Sequence, residues 1–260
     1  IGGFIGSSQL YSQTNVNIIF KGTNCIQPEE SSYVAVIGSN NIGGMIGTLA
    51  HTTLTIEKPI VITTDVNGSS DCVGGFCGFM LNSVCDLSNL QFSETMAING
   101  YNDVGGVVGE IYQSKISGPT KIDFTNGHQS ALPNFNDLSS LYNGKVNGVD
   151  HVGGFVGTIY NSSVIGFAVN VNVTGSNSVG GFAGSIRVCD SDDYISNNAS
   201  NGNINGSGEY VGGIVGYLEI DASSGSFGYD GFNNNIAYGN INGGSNVSGV
   251  VGYLNVNGAN

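Results

Sequence analysis

Residues Val152–Gly157 read VGGFVG, and the same hexapeptide returns seven more times along the 260-residue chain. It is IGGFIG from Ile1, IGGMIG from Ile42, VGGFCG from Val73 and VGGVVG from Val104; after Val152 it is VGGFAG from Val179, VGGIVG from Val211 and VSGVVG from Val247. Successive copies start 41, 31, 31, 48, 27, 32 and 36 residues apart. A period in this range marks a solenoid, a propeller or an array, in which each repeat is one supersecondary unit.

Side chains alternate across a strand, so positions four, six and eight of the repeat share one face. Position four is Phe4, Met45, Phe76, Val107, Phe155, Phe182, Ile214 or Val250. Position six is glycine in every copy: Gly6, Gly47, Gly78, Gly109, Gly157, Gly184, Gly216 and Gly252. Position eight is Leu49, Met80, Ile111, Ile159, Ile186, Leu218 or Leu254, with Ser8 the exception. A face that reads large-apolar, Gly, aliphatic suits a tapered core with one close backbone approach. Positions one and five, on the other face, are also apolar, so the strand is either buried on both faces or bent at its Gly-Gly pair.

A second signal precedes each copy after the first. An apolar residue, usually followed by Asn, leads to Gly38, Gly68, Gly100, Gly148, Gly175, Gly206 or Gly243, four or five residues before the Val or Ile. Asn-Gly supplies positive φ at low steric cost, so these glycines are read as left-handed corners between strands. Helix signals are nearly absent. The expected fold is all-β, a parallel β-solenoid of β-helix type built from about eight Gly-rich repeats of about 30 residues. Residues 1–260 are read as one continuous solenoid with insertions near 114–143 and 220–235, where the period stretches. The alternative is a β-propeller of eight blades, although propeller blades need about 40–50 residues.

Composition narrows the partners. Six Lys+Arg stand against 19 Asp+Glu, giving a net charge of -13. Nucleic-acid binding needs a clustered cationic face, and an anionic bilayer would repel this chain. No apolar run approaches the ~20 residues of a membrane span. Charged residues make up only 10% of the chain against 40% apolar, so solvation rests on Asn, Ser and Thr, as suits an extracellular or cell-surface protein. With no initiator Met and no signal-like start, the chain reads as a mature or excerpted one.

The repeated VGGFVG, followed by an apolar strand and a closing Val/Ile-Asn-Gly, resembles the GLUG repeat of large secreted and surface-attached proteins. The resemblance spans nearly the whole chain. It implies a β-rich stalk or adhesin-like segment; some family members carry a peptidase elsewhere, but no matching catalytic residues occur here.

The glycines carry no nucleotide chemistry. There is no GxxxxGK[ST], and GGFVG continues as strand rather than helix. Calcium-binding nonapeptides repeat GGxGxD every nine residues, which this chain does not do. A Ser-His-Asp arrangement is not recognisable. The acids Asp71, Asp103, Asp150 and Glu209 fall one or two residues before a hexapeptide. Stacking would gather them into a ladder of oxygen ligands or, more blandly, into a solvated column. Asp190, Asp192 and Asp193 form the densest acidic cluster, but they lack the Gly and distal Glu of an EF-hand, which leaves them poor Ca²⁺ candidates. No other cofactor is expected. His51, His128 and His151, with no CxxC and no HExxH, give little basis for a zinc site. Of five cysteines, an odd number, at least one must be free or paired to another chain; Cys77 falls in a column of Ile46, Val108 and Val156 and should pack as a small hydrophobe.

Six Asn-X-Ser/Thr sequons, at Asn67, Asn161, Asn172, Asn198, Asn205 and Asn246, are candidate glycosylation sites. Asn67 and Asn205 occupy the same corner of the repeat. The expected function is structural rather than enzymatic: a fibre or filament subunit, or a surface-protein stalk, whose partner is a second copy of itself or another surface protein. A carbohydrate-binding or adhesin module using Tyr and Asn on the insertions is the alternative, and a polysaccharide-acting β-helix enzyme the third. A solenoid leaves unpaired strand edges at its ends. Here the closing Val256-Asn257-Gly258 corner would run almost in frame into the Ile1 strand of another copy, a heterologous contact that makes filaments.

Overall fold

A computed structural model of the chain describes residues 5–8, 16–21, 25–26, 35–93, 96–119, 140–189, 193–221 and 231–257. Within it each hexapeptide after the first forms two strands hinged at its centre. In the fifth copy, Asp150–Gly153 is one strand, Gly154 and Phe155 make the bend, and Val156–Tyr160 is the next strand. The hinge demands glycine on both sides. A Cβ on Gly153 would lie 2.0 Å from the Val156 carbonyl oxygen across the bend, and one on Gly154 would lie 2.2 Å from the carbonyl oxygen of Gly181 in the next rung.

Strands before the hinge stack into a seven-stranded first sheet, from Ile42–Gly43 to Ser245–Ser248; strands after it stack into an eight-stranded second sheet, from Ile5–Ser8 to Val251–Asn257. The repeat sequence sets the register. Val73, Val104, Val152, Val179, Val211 and Val247 pair in succession, every time in parallel. Each of the long sheets takes one strand from successive repeats, so the architecture is a parallel β-solenoid. A propeller, in which each repeat would build its own antiparallel blade, is excluded.

Three further sheets close the rung. The third runs from Val16–Phe20 through Thr52–Ile56 to Phe232–Asn233. The fourth holds Cys25–Ile26, Ile60–Ile62 and Leu90–Phe92. The fifth runs from Ala35–Gly38 through Ala168–Gly175 to Ile236–Ala237. The 48-residue spacing leaves this frame intact, because Val104 still pairs with Val152.

Both insertions are narrower than the sequence suggests. Lys115–Ser117 pairs in register with Val84–Asp86 and Ser163–Ile165, and Ser140–Asn147 pairs with Ala168–Gly175. Likewise Ile220–Asp221 continues a second-sheet strand, and Phe232–Asn233 pairs with Ile195–Ser196. Residues at both ends of each stretched period are ordinary rung strands; what lies between, 120–139 and 222–230, is outside the described residues, as are Ile1–Phe4 of the first hexapeptide.

One core runs through the stack. Phe76, Phe155 and Phe182 are fully buried, and the Phe155 and Phe182 rings lie parallel, 6° apart, with centroids 4.9 Å apart. Phe167 closes on Phe155 at 4.4 Å from another wall of the rung. Each such buried side chain contributes roughly 1.5–3 kcal/mol, and stacking buries on a neighbouring rung what one rung cannot bury alone. Cys77 lies in the core in register with Ile46 and Val108, as a small hydrophobe. Cys72, Cys77 and Cys85 are buried thiols outside any disulfide.

A buried hydroxyl ladder marks the turn into the third sheet. The Ser83 hydroxyl accepts the Thr52 N–H at 3.1 Å and donates to the Leu81 carbonyl at 2.8 Å; Ser114 and Ser162 repeat the pattern in the next rungs. One hydroxyl thus satisfies backbone groups of two rungs where water cannot reach.

The left-handed corner lies elsewhere than the sequence suggests. Among the described glycines only Gly166 and Gly202 have positive φ, so the glycines from Gly38 to Gly243 are not left-handed. They are needed because a Cβ on Gly148 would lie 2.8 Å from a γ-carbon of Val152, the first residue of the hexapeptide. Besides His51, Asn82, Gln113, Asn161, Asn197 and Asn234, positive φ falls on the residue just before each hexapeptide after the first: Asn41, Cys72, Asp103, His151, Ser178, Tyr210 and Asn246, between 50° and 63°.

Candidate functional site

That left-handed column turns seven side chains out of the strand pattern along one flank of the first sheet, and with the residues before it forms an open groove. The groove, about 620 Å³, is lined by Asp71, Asn102, Asp103, Asp150, His151, Asn177, Ser178, Glu209 and Tyr210. The acids do not make the single ladder suggested by sequence. Asp71, Asn102, Asp150 and Asn177 pair as one column in which carboxylates alternate with amides, and Asp103 belongs to the neighbouring left-handed column. Carboxylates in the first column therefore stand two rungs apart, about 9–10 Å, too far to share one Ca²⁺. The amides are wired instead. Asn177 donates to Asp150 at 2.9 Å and accepts the Glu209 N–H at 3.0 Å.

Beneath the groove wall the second sheet adds its own side chains. Its seventh-position residue reaches the left-handed residue of the preceding rung. Thr158 donates to Asp103 Oδ1 at 2.6 Å, Cys72 donates from Sγ to Glu110 Oε2 at 3.2 Å, and the Tyr253 ring lies 4.8 Å from that of Tyr210. His151 Nδ1 lies 3.0 Å from the same Asp103 Oδ1. The Sγ of Cys72 and a carboxylate oxygen each of Asp103 and Glu110 all fall within 4.8 Å of one another.

Electrostatics follow from this crowding. Burial, and next the Glu110 charge, push the Cys72 thiol far above its ordinary range. Burial also raises the Glu110 carboxyl, partly opposed by the hydrogen bond from Cys72. His151 is raised chiefly by its hydrogen bond to Asp103. A histidine raised in the folded state adds stability that is complete below its unfolded pKa of about 6.5 and fades as pH climbs through the folded value. Asp103→Asn should therefore lower the His151 midpoint in an NMR titration of its ring protons and flatten stability between about pH 6 and 8. A His151 midpoint that ignores the substitution would show that the 3.0 Å contact carries no charge coupling.

A stripe of larger side chains runs in register along the second sheet. Tyr112 and Tyr160 stack at 4.7 Å with rings 2° apart, Arg187 covers Tyr160 at 5.3 Å, and Arg187 reaches Glu219 at 3.7 Å.

The sequons separate by face. Asn67 and Asn205 do occupy one column, in which Thr174 separates two runs of amides: Asn99 donates to Asn67 at 2.8 Å and Asn147 to Asn99 at 2.8 Å on one side, and Asn242 to Asn205 at 3.1 Å on the other. Asn172, Asn205 and Asn246 are exposed, and Asn67 and Asn161 are half-buried. Asn198 is fully buried; its amide donates to the Val164 carbonyl and to Asn235 and accepts from the Phe167 N–H. A glycan on that nitrogen is incompatible with this packing, so Asn198 is not an acceptor in the folded chain. Of the acidic run, Asp193 is buried, while Asp190 and Asp192 lie outside the described residues.

No family model, curated protein or solved structure matches this chain. No helix among the described residues is long and apolar enough to cross a membrane.

Proposed function

We propose that this chain is a structural, extracellular-type repeat protein, a fibre subunit or surface-protein stalk, that extends by adding rungs edge to edge. The observation that carries this reading is that each column of the stack is filled by its own kind from rung to rung, as Val73, Val104, Val152, Val179, Val211 and Val247 pair in parallel succession; the last described rung displays what such a rung presents to a neighbour. Val247, Val250, Leu254 and Val256 are 44%, 45%, 54% and 48% exposed, whereas Val211, Ile214 and Leu218, which fill three of the same columns one rung earlier, are 0%, 0% and 5% exposed. Among the described residues, strands Ser245–Ser248 and Val251–Asn257 each pair on one side only. Such a surface is a cross-section of the core, covered by whatever rung comes next, in the same polypeptide or from a second copy. A rung of the same repeat fits it, because every column already accepts its own kind. The resemblance to GLUG repeats supports the same reading, and no step of it is catalytic.

The occupant we favour is a second copy of the chain, joined head to tail in a contact that need not close. Light scattering and electron microscopy over a concentration series should show growth into rods, and Leu254→Lys, which puts a charge on the uncovered core, should hold the protein monomeric. Wild-type protein that stays monomeric at high concentration would overturn assembly through this edge.

A glycan-binding reading ranks second, and the groove favours it. Asp150, Asn177 and Glu209 offer a row of donors and acceptors beside the Tyr210–Tyr253 pair, and aromatic rings flanked by a few polar groups are a usual makeup for ligand sites. Binding on a glycan panel that disappears in Tyr210→Ala would move this reading to first place.

A further inference from the structure

We propose that Cys72, Asp103 and Glu110 form a binding site for a borderline-soft divalent cation of the Zn²⁺ class, with His151 as the positioning residue that holds Asp103. This inference is independent of how the solenoid assembles.

The case begins with the columns. Seven rungs place a residue in the left-handed position before the hexapeptide, and the metal-ligating types other than amides and hydroxyls, Cys72, Asp103 and His151, occupy three consecutive ones. Stacked rungs lie about 4.8 Å apart, so these three side chains are neighbours although they span residues 72 to 151. The seventh-position column of the second sheet reads Thr48, Phe79, Glu110, Thr158 along its register. Its one carboxylate in that run falls against the one thiol in the left-handed column, with Cys72 Sγ 3.2 Å from Glu110 Oε2.

The donor set fits a particular ion class. A thiol and two carboxylates converge within 4.8 Å. Zn²⁺ takes sulfur at about 2.3 Å and carboxylate oxygen at about 2.0–2.2 Å, which puts bound donors about 3.5 Å apart, so only a small contraction is needed. Ca²⁺ and Mg²⁺ want six or more oxygens and would not choose the thiol. Three protein ligands leave the fourth tetrahedral position to water. Both contacts to Asp103 from His151 and Thr158 end on Oδ1, and among the described residues Oδ2 carries no hydrogen bond, which leaves an oxygen for the ion. A carboxylate held in this way by an imidazole and a hydroxyl is a supported ligand.

The charge balance works in the same direction. Without a cation, two carboxylates and a thiol face one another, and His151 reaches them through its contact with Asp103. Binding converts Cys72–SH to thiolate: the S–H bond breaks, the S–metal bond forms, and the proton leaves to solvent with no change of oxidation state. Asp103 and His151 line the groove, which supplies the entry path.

The test uses the full 260-residue chain, stripped with a chelator and titrated with Zn²⁺ by calorimetry and with Co²⁺ by absorption. Wild type should bind about one ion per chain, show a thiolate-to-cobalt charge-transfer band, and release a proton whose heat scales with buffer ionisation. Cys72→Ser should abolish the band and Glu110→Gln should weaken affinity at least ~10-fold while keeping it. His151→Ala should weaken binding by about 10–100-fold with the band intact, the signature of a positioning residue. Asp150→Asn, in the groove but outside the cluster, should bind as wild type. Should Cys72→Ser fail to fold, the wild-type cobalt spectrum decides alone. Absence of the band, or Zn²⁺ affinity indifferent to Glu110→Gln, would overturn the site and leave the Cys72–Glu110 contact as a hydrogen bond only.

Discussion

Gly157→Ala is expected to destabilise the solenoid by about 3 kcal/mol or more, at the upper end of overpacking costs. One methyl group suffices because its obstacle is backbone. A Cβ on Gly157 would lie 2.3 Å from the carbonyl carbon of Asp103 and 2.5 Å from the amide nitrogen of Val104 in the preceding rung. Neither chain can retreat. Val156 N–H bonds to the Phe182 carbonyl at 3.0 Å, and Val104 is paired on both sides by Val73 and Val152. Gly184 stands in the same relation to His151 and Val152, and Gly216 to Ser178 and Val179, so the invariant sixth glycine is the point where two sheets of successive rungs touch main chain to main chain. Gly6 supplies the control: a Cβ there meets nothing within 4 Å. Gly6→Ala should melt within about 0.5 kcal/mol of wild type, while Gly157→Ala loses about 6–12 °C at the low end of its cost. Equal melting of all three proteins in a thermal scan would remove the close-approach account.

The second large effect is alkaline. Cys77 is fully buried and its thiol is pushed up to about 12 by burial; Cys85, in the same core, is raised well above its ordinary range, again chiefly by burial. In the unfolded chain both thiols ionise near pH 8.5. Above that the unfolded state has given up protons that the folded state keeps, so stability falls as pH rises. Two thiols give a slope of about 2.7 kcal/mol per pH unit, and moving from about pH 8 to about pH 10 should cost roughly 3–4 kcal/mol. The double variant Cys77→Val, Cys85→Val tests it, because valine already fills both columns at Val108 and Val164. Urea melts of the variant should lose the share of the decline due to these two thiols and keep what Cys72, likewise raised by burial, and the tyrosines contribute. Parallel declines in both proteins would show that these thiols do not report folding.

The residues that spelled out the fold are those whose environment is identical in every rung. Phe155 and Phe182 meet the same core, so the same letter recurs, and the register of six valines could be read from their spacing before any strand was placed. The left-handed column was illegible for the opposite reason. Its backbone requirement is constant, yet Asn41, Cys72, His151 and Tyr210 satisfy it with unrelated side chains. Asn and Asp tolerate this region best, and three of the seven residues follow that preference, too few to outweigh an Asn-Gly pattern nearby. The Cys72–Asp103–Glu110 cluster depends on this column and on the pairing of rungs 31 residues apart, and its support by His151 on a register that survives a 48-residue spacing, so no local motif announces it. What would have found it is alignment on the hexapeptide and reading down the position before it. Asn198 shows the converse, a sequon that matches a pattern blind to which side of the rung the amide faces.

Parallel stacking with one turn per repeat also fixes how this chain would respond to tension. A folded rung occupies about 4.8 Å of the axis, while the 31 residues between Val73 and Val104 span about 100 Å once drawn out. Peeling a single turn from either end therefore lengthens the molecule by about twenty times that turn's share of the rod. The turns beneath keep their own ladders, so the molecule can give slack one coil at a time while the remainder stays stiff.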